Sequence, residues 1–220
     1  MSAMSIEQAR TNMVEHQIRP WEVLDQRVLD LLYLVKREDF VPASYRALAF
    51  SELEIPLGHA AHMWQPKLEA RVLQELSVKK TDRVLEIGTG SGYFAALLAR
   101  CAQHVYSVEI DPELKAFGEE NLRRAGVVNV TVDLGDGAQG WGKHAPYDVI
   151  VLTGSTPVLP QQFSQQLNIG GRLFAMVGNA PVMTARIMTC TGDGAYSTSD
   201  LLETSIAPLA HALSGERFRF

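Results

Sequence analysis

The chain has 220 residues, a hydrophobic content of 46% and a formal net charge of −5, which suits one globular α/β domain with an added segment and disfavours a broad nucleic-acid footprint. No apolar run reaches the roughly 20 residues of a membrane helix, and Met1–Arg10 lacks the apolar core of a signal peptide. The two cysteines, Cys101 and Cys190, form no metal motif, so no metal site is expected and the thiols read as reduced side chains of a cytoplasmic protein.

From the N-terminus, Ile6 to Gln17 and Val23 to Val35 are predicted helices, separated by Arg19-Pro20. Leu24, Val28, Leu31, Leu32 and Val35 lie close to helical spacing. Pro42 and Pro56 then break the chain into a loop-rich stretch. Lys67 to Leu76 reads as another helix, with Leu68, Val72, Leu73 and Leu76 inward. A division near Lys80-Thr81 separates an N-terminal helical and loop segment, residues 1–80, from an α/β core, residues 81–220.

The core opens on Val84, Leu85, Glu86 and Ile87, then three alternating glycines, Gly88, Gly90 and Gly92, then an apolar helical stretch from Tyr93 to Ala99. Strand, glycine turn and helix in succession begin a nucleotide-binding unit. A dinucleotide fingerprint would need its third small residue at Tyr93, which is not small. The spacing G-x-G-x-G, with an acid two residues ahead, resembles instead the first motif of S-adenosylmethionine-dependent methyltransferases. His104 to Ile110 reads as the second strand and ends in Glu109, about 20 residues beyond Gly88, where an acid accepts both ribose hydroxyls. Pro112 starts the next helix, which runs to Arg124 and stops at Gly126. A third strand, Val127 to Val132, leads to Gly135-Asp136-Gly137, which is either an adenine-binding acid between glycines or a plain Asp-Gly turn.

The fourth strand, Tyr147 to Leu152, is apolar after Asp148, as a buried parallel strand should be, and Asp148 reads as a strand cap. Thr153-Gly154-Ser155 follow at the ligand-binding edge, where Thr153 or Ser155 faces the transferred methyl group or merely caps the strand. Gly170-Gly171 turns into a fifth strand, Arg172 to Val177. Arg186 to Cys190 and Thr204 to Pro208 are predicted as late antiparallel strands around Gly192-Asp193-Gly194, ahead of a polar, aromatic tail, Glu216 to Phe220.

In this order the pieces resemble the protein-L-isoaspartate O-methyltransferase family over nearly the whole chain. The matching segments include Arg37 to Pro42, Ile55 to Gly58, Gln65-Pro66, Val84 to Tyr93, Val105 to Glu109, Gly135 to Gly137, Gly140-Trp141, Ala145 to Asp148, Gly170 to Arg172 and Val177-Gly178. The resemblance implies an α/β, Rossmann-like class I methyltransferase fold: a mostly parallel central sheet with an N-terminal helical segment. It also implies S-adenosyl-L-methionine as cofactor and a protein-repair reaction, methylation of the α-carboxylate of isoaspartyl residues. Glu86, Gly88 and Gly90 are expected to hold the methionine end, Glu109 the ribose and Asp136 the adenine, with Thr89, Gly92, Ile110, Gly137 and Thr153 as further cofactor-binding residues.

The family carries Thr-Ile-Ser-Gln-Pro before the helix that precedes the core, and its serine is regarded as an active-site residue. Here the segment reads His62-Met63-Trp64-Gln65-Pro66, with no hydroxyl at either place. Losing one positioning donor typically costs about 2.7–4 kcal/mol, a rate factor of 10² to 10³. An indole also reshapes the pocket and offers a face to an aromatic or cationic group. The expectation is a kept methyltransferase scaffold with a different acceptor, a protein, peptide or small molecule, in a pocket built from residues 58–66 including His62 and Trp64. The alternatives are an orthodox isoaspartyl enzyme in which His62 substitutes for the hydroxyl, and a non-catalytic module that binds cofactor or damaged peptide.

Overall fold

The computed structural model describes residues 5–213; the tail Glu216–Phe220 lies outside them. Helix α1 (Ile6–Met13) is capped by Ser5, whose hydroxyl accepts from the Gln8 N–H, and passes into a π turn, Val14–Ile18. The expected first helix is therefore α-helical only as far as Met13. Helix α2 (Gln26–Leu34) starts later than the apolar spacing suggested, because the Asp25 carboxylate accepts from the Arg27 N–H and caps it there. Leu24 is left outside the helix and 71% exposed.

The loop-rich stretch contains a short antiparallel hairpin, β1 (Ile55–Gly58) and β2 (Ala61–Met63), turned by His59 and Ala60 at positive φ. Helix α3 (Pro66–Leu76) follows, with Pro66 in its first turn and Leu68, Val72, Leu73 and Leu76 buried as expected.

Beyond residue 80, strands and helices alternate: β3 (Arg83–Ile87), α4 (Tyr93–Cys101), β4 (His104–Glu109), α5 (Pro112–Arg124), β5 (Val130–Leu134), β6 (Tyr147–Thr156), α6 (Gln161–Gln165), β7 (Leu167–Asn179), β8 (Val182–Gly192) and β9 (Ala195–Thr204). They form one sheet in the order β5-β4-β3-β6-β7-β8-β9. The first five strands in that order are parallel, and β8 and β9 are antiparallel. Side chains alternate between faces: Val84, Val105, Val149 and Val151 join the apolar cluster of α2, α3 and α4, whereas Leu85, Ile87, Ile150 and Leu152 join a second cluster with Phe163 and Leu173. Both faces are covered, as a parallel sheet requires. The first cluster takes members from both sides of residue 80.

Two buried ion pairs, Arg10 with Glu38 and Arg37 with Glu69, lie within the N-terminal segment. The last strand is not Thr204–Pro208 but β9, which ends at Thr204. As a sheet edge rich in Ser, Thr and Asp, β9 lacks the apolar alternation that marks a half-buried strand. Residues 206–209 instead cross the end of β6 as a strap: Ser155 N donates to Ala207 O at 2.9 Å, and Leu209 N donates to Ser155 O at 2.9 Å.

Candidate active site

The strand order reverses at β3, where the chain returns from β5 to β6 on the other side. Ligands of open α/β sheets bind outside the carboxyl ends of the strands at such a point. A cavity of about 500 Å³ lies there. Its floor is the β3–α4 loop. Gly88 has φ +97, and a Cβ on it would come within 2.2 Å of the Thr153 hydroxyl, so only glycine fits. That hydroxyl donates to Ile87 O at 2.8 Å and Gly88 O at 2.9 Å, which ties β6 to the loop. Ser155, by contrast, is buried and donates to Ile206 O, so it secures the strap.

Glu86 is wholly buried at the end of β3 and lines the cavity. Ser107 Oγ donates to its Oε2 at 2.5 Å, and Thr89 Oγ1 lies 2.6 Å from Ser107 Oγ. Its Oε1 has no hydrogen-bond partner among the described residues. Burial raises the Glu86 carboxyl to about 8, the Ser107 hydrogen bond opposing and nearby Glu109 adding. A folded-state value above the unfolded one makes folding bind a proton. The stability it contributes is full below the unfolded value and is lost as pH rises towards 8. Glu86→Gln, which keeps shape and hydrogen bonding, is expected to raise the melting temperature at pH 8, with the gain shrinking towards pH 5; thermal unfolding across that range checks it.

The Glu109 carboxylate at the end of β4 organises its surroundings. Its Oε2 accepts from Gly90 N at 2.9 Å, and its Oε1 from Ile110 N at 3.0 Å and Asp111 N at 3.2 Å. Asp136 accepts from Ala138 N at 3.0 Å and lies 2.8 Å from His211 Nδ1. Partial burial works to raise the Asp136 carboxyl, but these two partners outweigh it and hold it low. Gly137 packs so closely on Ile87 that a Cβ would approach its Cδ1 to 2.8 Å. The fold thus brings Glu86, Gly88, Thr89, Gly90, Glu109, Ile110, Asp136, Gly137 and Thr153 to one cavity wall; Gly92 caps α4 behind them. Trp141 is not part of that wall: its ring packs under Gly135 and its N–H donates to Asp133 Oδ2 at 3.2 Å. Asp148 accepts from Arg83 N at 2.8 Å and Asn168 Nδ2 at 2.8 Å, joining the starts of β3, β6 and β7.

The β1–β2 hairpin and the start of α3 form the opposite wall. His62 lines it and is exposed, whereas Trp64 is only 6% exposed. The indole packs on Phe94 at 5.5 Å and Phe174 at 6.0 Å between ring centroids. Three contacts of this wall could not be read from the sequence, although His59 itself lies within the expected 58–66 segment. Glu69 faces the cavity from α3. His59 reaches α5, with Nδ1 2.8 Å from Asp111 Oδ2 and Nε2 3.1 Å from Glu113 Oε2. The strap adds Pro208 and Leu209. Each depends on a partner far along the chain, so no local pattern announces it.

Residues 8–214 match the model of the protein-L-isoaspartate(D-aspartate) O-methyltransferase family. The chain belongs to this family. A protein-L-isoaspartate O-methyltransferase of Methanoculleus marisnigri is 44% identical over 178 residues, 81% of each chain. One named protein-L-isoaspartate O-methyltransferase 2, from Marinobacter nauticus, is 38% identical over 201 residues, 91% of this chain and 92% of that one. A solved protein-L-isoaspartate O-methyltransferase superposes with a TM-score of 0.77 at 26% identity, covering 94% of this chain and 66% of that one. A putative family member from Plasmodium falciparum, solved with S-adenosyl-L-homocysteine, gives a TM-score of 0.79 at 16% identity over 95% of this chain and 99% of that one, a likeness of fold. Membership in the family makes the chain an S-adenosylmethionine-dependent methyltransferase of Rossmann-like class I fold. Its residues fit that cofactor: Glu86 offers an unpartnered buried oxygen in a cavity with a bare glycine floor, suited to an ammonium group. Among the described residues no helix is long and apolar enough to cross a membrane.

Proposed function

We propose that the cavity binds S-adenosylmethionine along the ends of β3, β4 and β5, and that the methyl acceptor differs from the isoaspartyl carboxylate of the family's repair reaction. When bound, the cofactor supplies a methyl group on a positively charged sulfur. Glu86 takes its amino group through the free Oε1, and the N–H groups of the glycine loop and the start of α4 take its carboxylate. Glu109, already fixed by three N–H groups, presents its remaining lone pairs to the ribose. Asp136 and Gly137, with Ile110 opposite, receive the adenine.

The observation that carries the changed acceptor is Trp64. The family serine gives way to a buried indole that forms an apolar wall with Phe94 and offers no hydroxyl to orient a carboxylate. A carboxylate of pKa about 4 is already ionised and needs positioning rather than a base, so the missing donor bears directly on that reaction. The relatives' names favour the orthodox repair reaction as the second reading. Trp64→Ser decides between them: it is expected to gain isoaspartyl methyl transfer in a radiolabel assay while losing about 3–5 kcal/mol of stability from the Phe94 and Phe174 contacts. No gain in a variant that still binds S-adenosylhomocysteine would count against the changed acceptor.

A further inference from the structure

Glu69 is 2% exposed, yet it lines the cavity on the side of Trp64. Its Oε2 pairs with Arg37 Nη1, and its Oε1 has no hydrogen-bond partner among the described residues. Arg37 is held elsewhere too. It donates to Trp64 O at 2.6 Å and Ala49 O at 2.9 Å, stands over the Tyr93 ring, and is not part of the cavity wall. The pair therefore keeps a carboxylate fixed beside Trp64 with one oxygen unused. That oxygen opens on the cavity and is available to a ligand donor.

The charges around it point the same way. The acids of the cavity wall are Glu69, Glu86, Glu109, Asp111 and Asp136, and among the described residues no lysine or arginine joins them. Glu86, Glu109 and Asp136 are accounted for by the cofactor reading, and Asp111 caps α5. Of the two histidines in the wall, His59 is engaged by Asp111 and Glu113, and His62 is exposed, with Glu54 as its nearby acid. Apart from the cofactor's own charged sulfur, a carboxylate acceptor would find no lysine or arginine among the described residues of this wall to orient it, whereas an amine finds the open oxygen of Glu69.

We infer that the acceptor is an amine, received as an ammonium by Glu69 Oε1 against the apolar wall of Trp64 and Phe94. This rests on the reading of the cavity as a methyltransferase site with a changed acceptor. The ammonium N–H donates to Glu69, and its proton passes to that carboxylate. The freed nitrogen lone pair forms the new N–CH3 bond, the S–CH3 bond breaks, and its electron pair stays on sulfur, which becomes a neutral thioether. The methylated nitrogen carries the positive charge, and the proton on Glu69 leaves to solvent with the product. Burial raises the Glu69 carboxyl to about 8 against the opposing influence of Arg37, so the ionised form that receives the ammonium is populated as pH rises through that value, and it holds the transferred proton readily.

The test is a pair of calorimetric titrations on full-length protein saturated with S-adenosylhomocysteine. The probes are phenethylamine and phenylpropionate, with similar bodies and opposite charges. The amine is expected to bind at least about tenfold tighter than the acid, and Glu69→Gln, which retains a hydrogen-bonding group for Arg37, is expected to remove most of that preference. A preference for the acid, equal affinities, or no measurable amine binding overturns the assignment. If the variant does not fold, the wild-type pair decides alone. Failure of S-adenosylhomocysteine to saturate the protein, or methylation of an isoaspartyl peptide at a normal family rate, would instead remove the reading underneath.

Discussion

Glu109→Ala is expected to weaken S-adenosylhomocysteine binding by about 10² to 10⁴, because two charge-assisted hydrogen bonds to ribose are worth roughly 1.5–3 kcal/mol each. The variant loses more than those contacts. Gly90, Ile110 and Asp111 all direct their N–H groups at this one carboxylate, so the glycine loop and the entry to α5 lose their common anchor. Glu109→Gln separates the two effects: it keeps an acceptor for some of these N–H groups but removes the charge, and its affinity should fall between the other two. Isothermal titration of the three proteins checks the order. An alanine variant that binds like wild type would mean that the ribose lies elsewhere.

The second large effect concerns stability. Arg37→Met leaves Glu69 buried without its partner and takes donors from Trp64 O and Ala49 O. Breaking one side of a buried pair costs about 3–5 kcal/mol. At roughly 2–4 °C per kcal/mol for a chain of this size, the melting temperature should fall by about 6–20 °C. The pH dependence has a definite sign. Burial places the Glu69 carboxyl at about 8 in the folded protein, above its ordinary value, and Arg37 pulls it down. Folding therefore binds a proton, and stability declines as pH rises towards 8. Without Arg37 the folded-state value moves higher, so the decline continues further into alkali. The gap in melting temperature between wild type and variant should be smallest in mild acid and widest above pH 8, as thermal melts would reveal.

The legible part of the fold was its repeating part. The apolar β3, the alternating glycines, Glu109 at the end of β4 and the Asp111-Pro112 start of α5 are local patterns with local causes. The hairpin of β1 and β2 was concealed because Pro56 and Gly58 lie within it, and its two strands are too short for alternation to register. The edge strand β9 was misplaced because its first six residues are exposed and its only leucines, Leu201 and Leu202, are adjacent rather than alternating. The acceptor side was the least legible. Trp64 stood out only against the family signature, and its burial between Phe94 and Phe174 comes from residues 30 and 110 positions away (94 − 64 and 174 − 64). Glu69 carries no local signature; its meaning depends on Arg37, brought to it by the fold.

The most direct test of the changed acceptor is radiolabelled methyl transfer to an isoaspartyl peptide, measured beside a family member that has the serine, with both proteins shown to bind S-adenosylhomocysteine. The account predicts a rate for this chain lower by about 10² or more, the size of effect expected when a positioning donor is lost. A rate within a few-fold of the serine-bearing enzyme would contradict it and leave the chain an ordinary isoaspartyl repair methyltransferase with a tryptophan in its pocket.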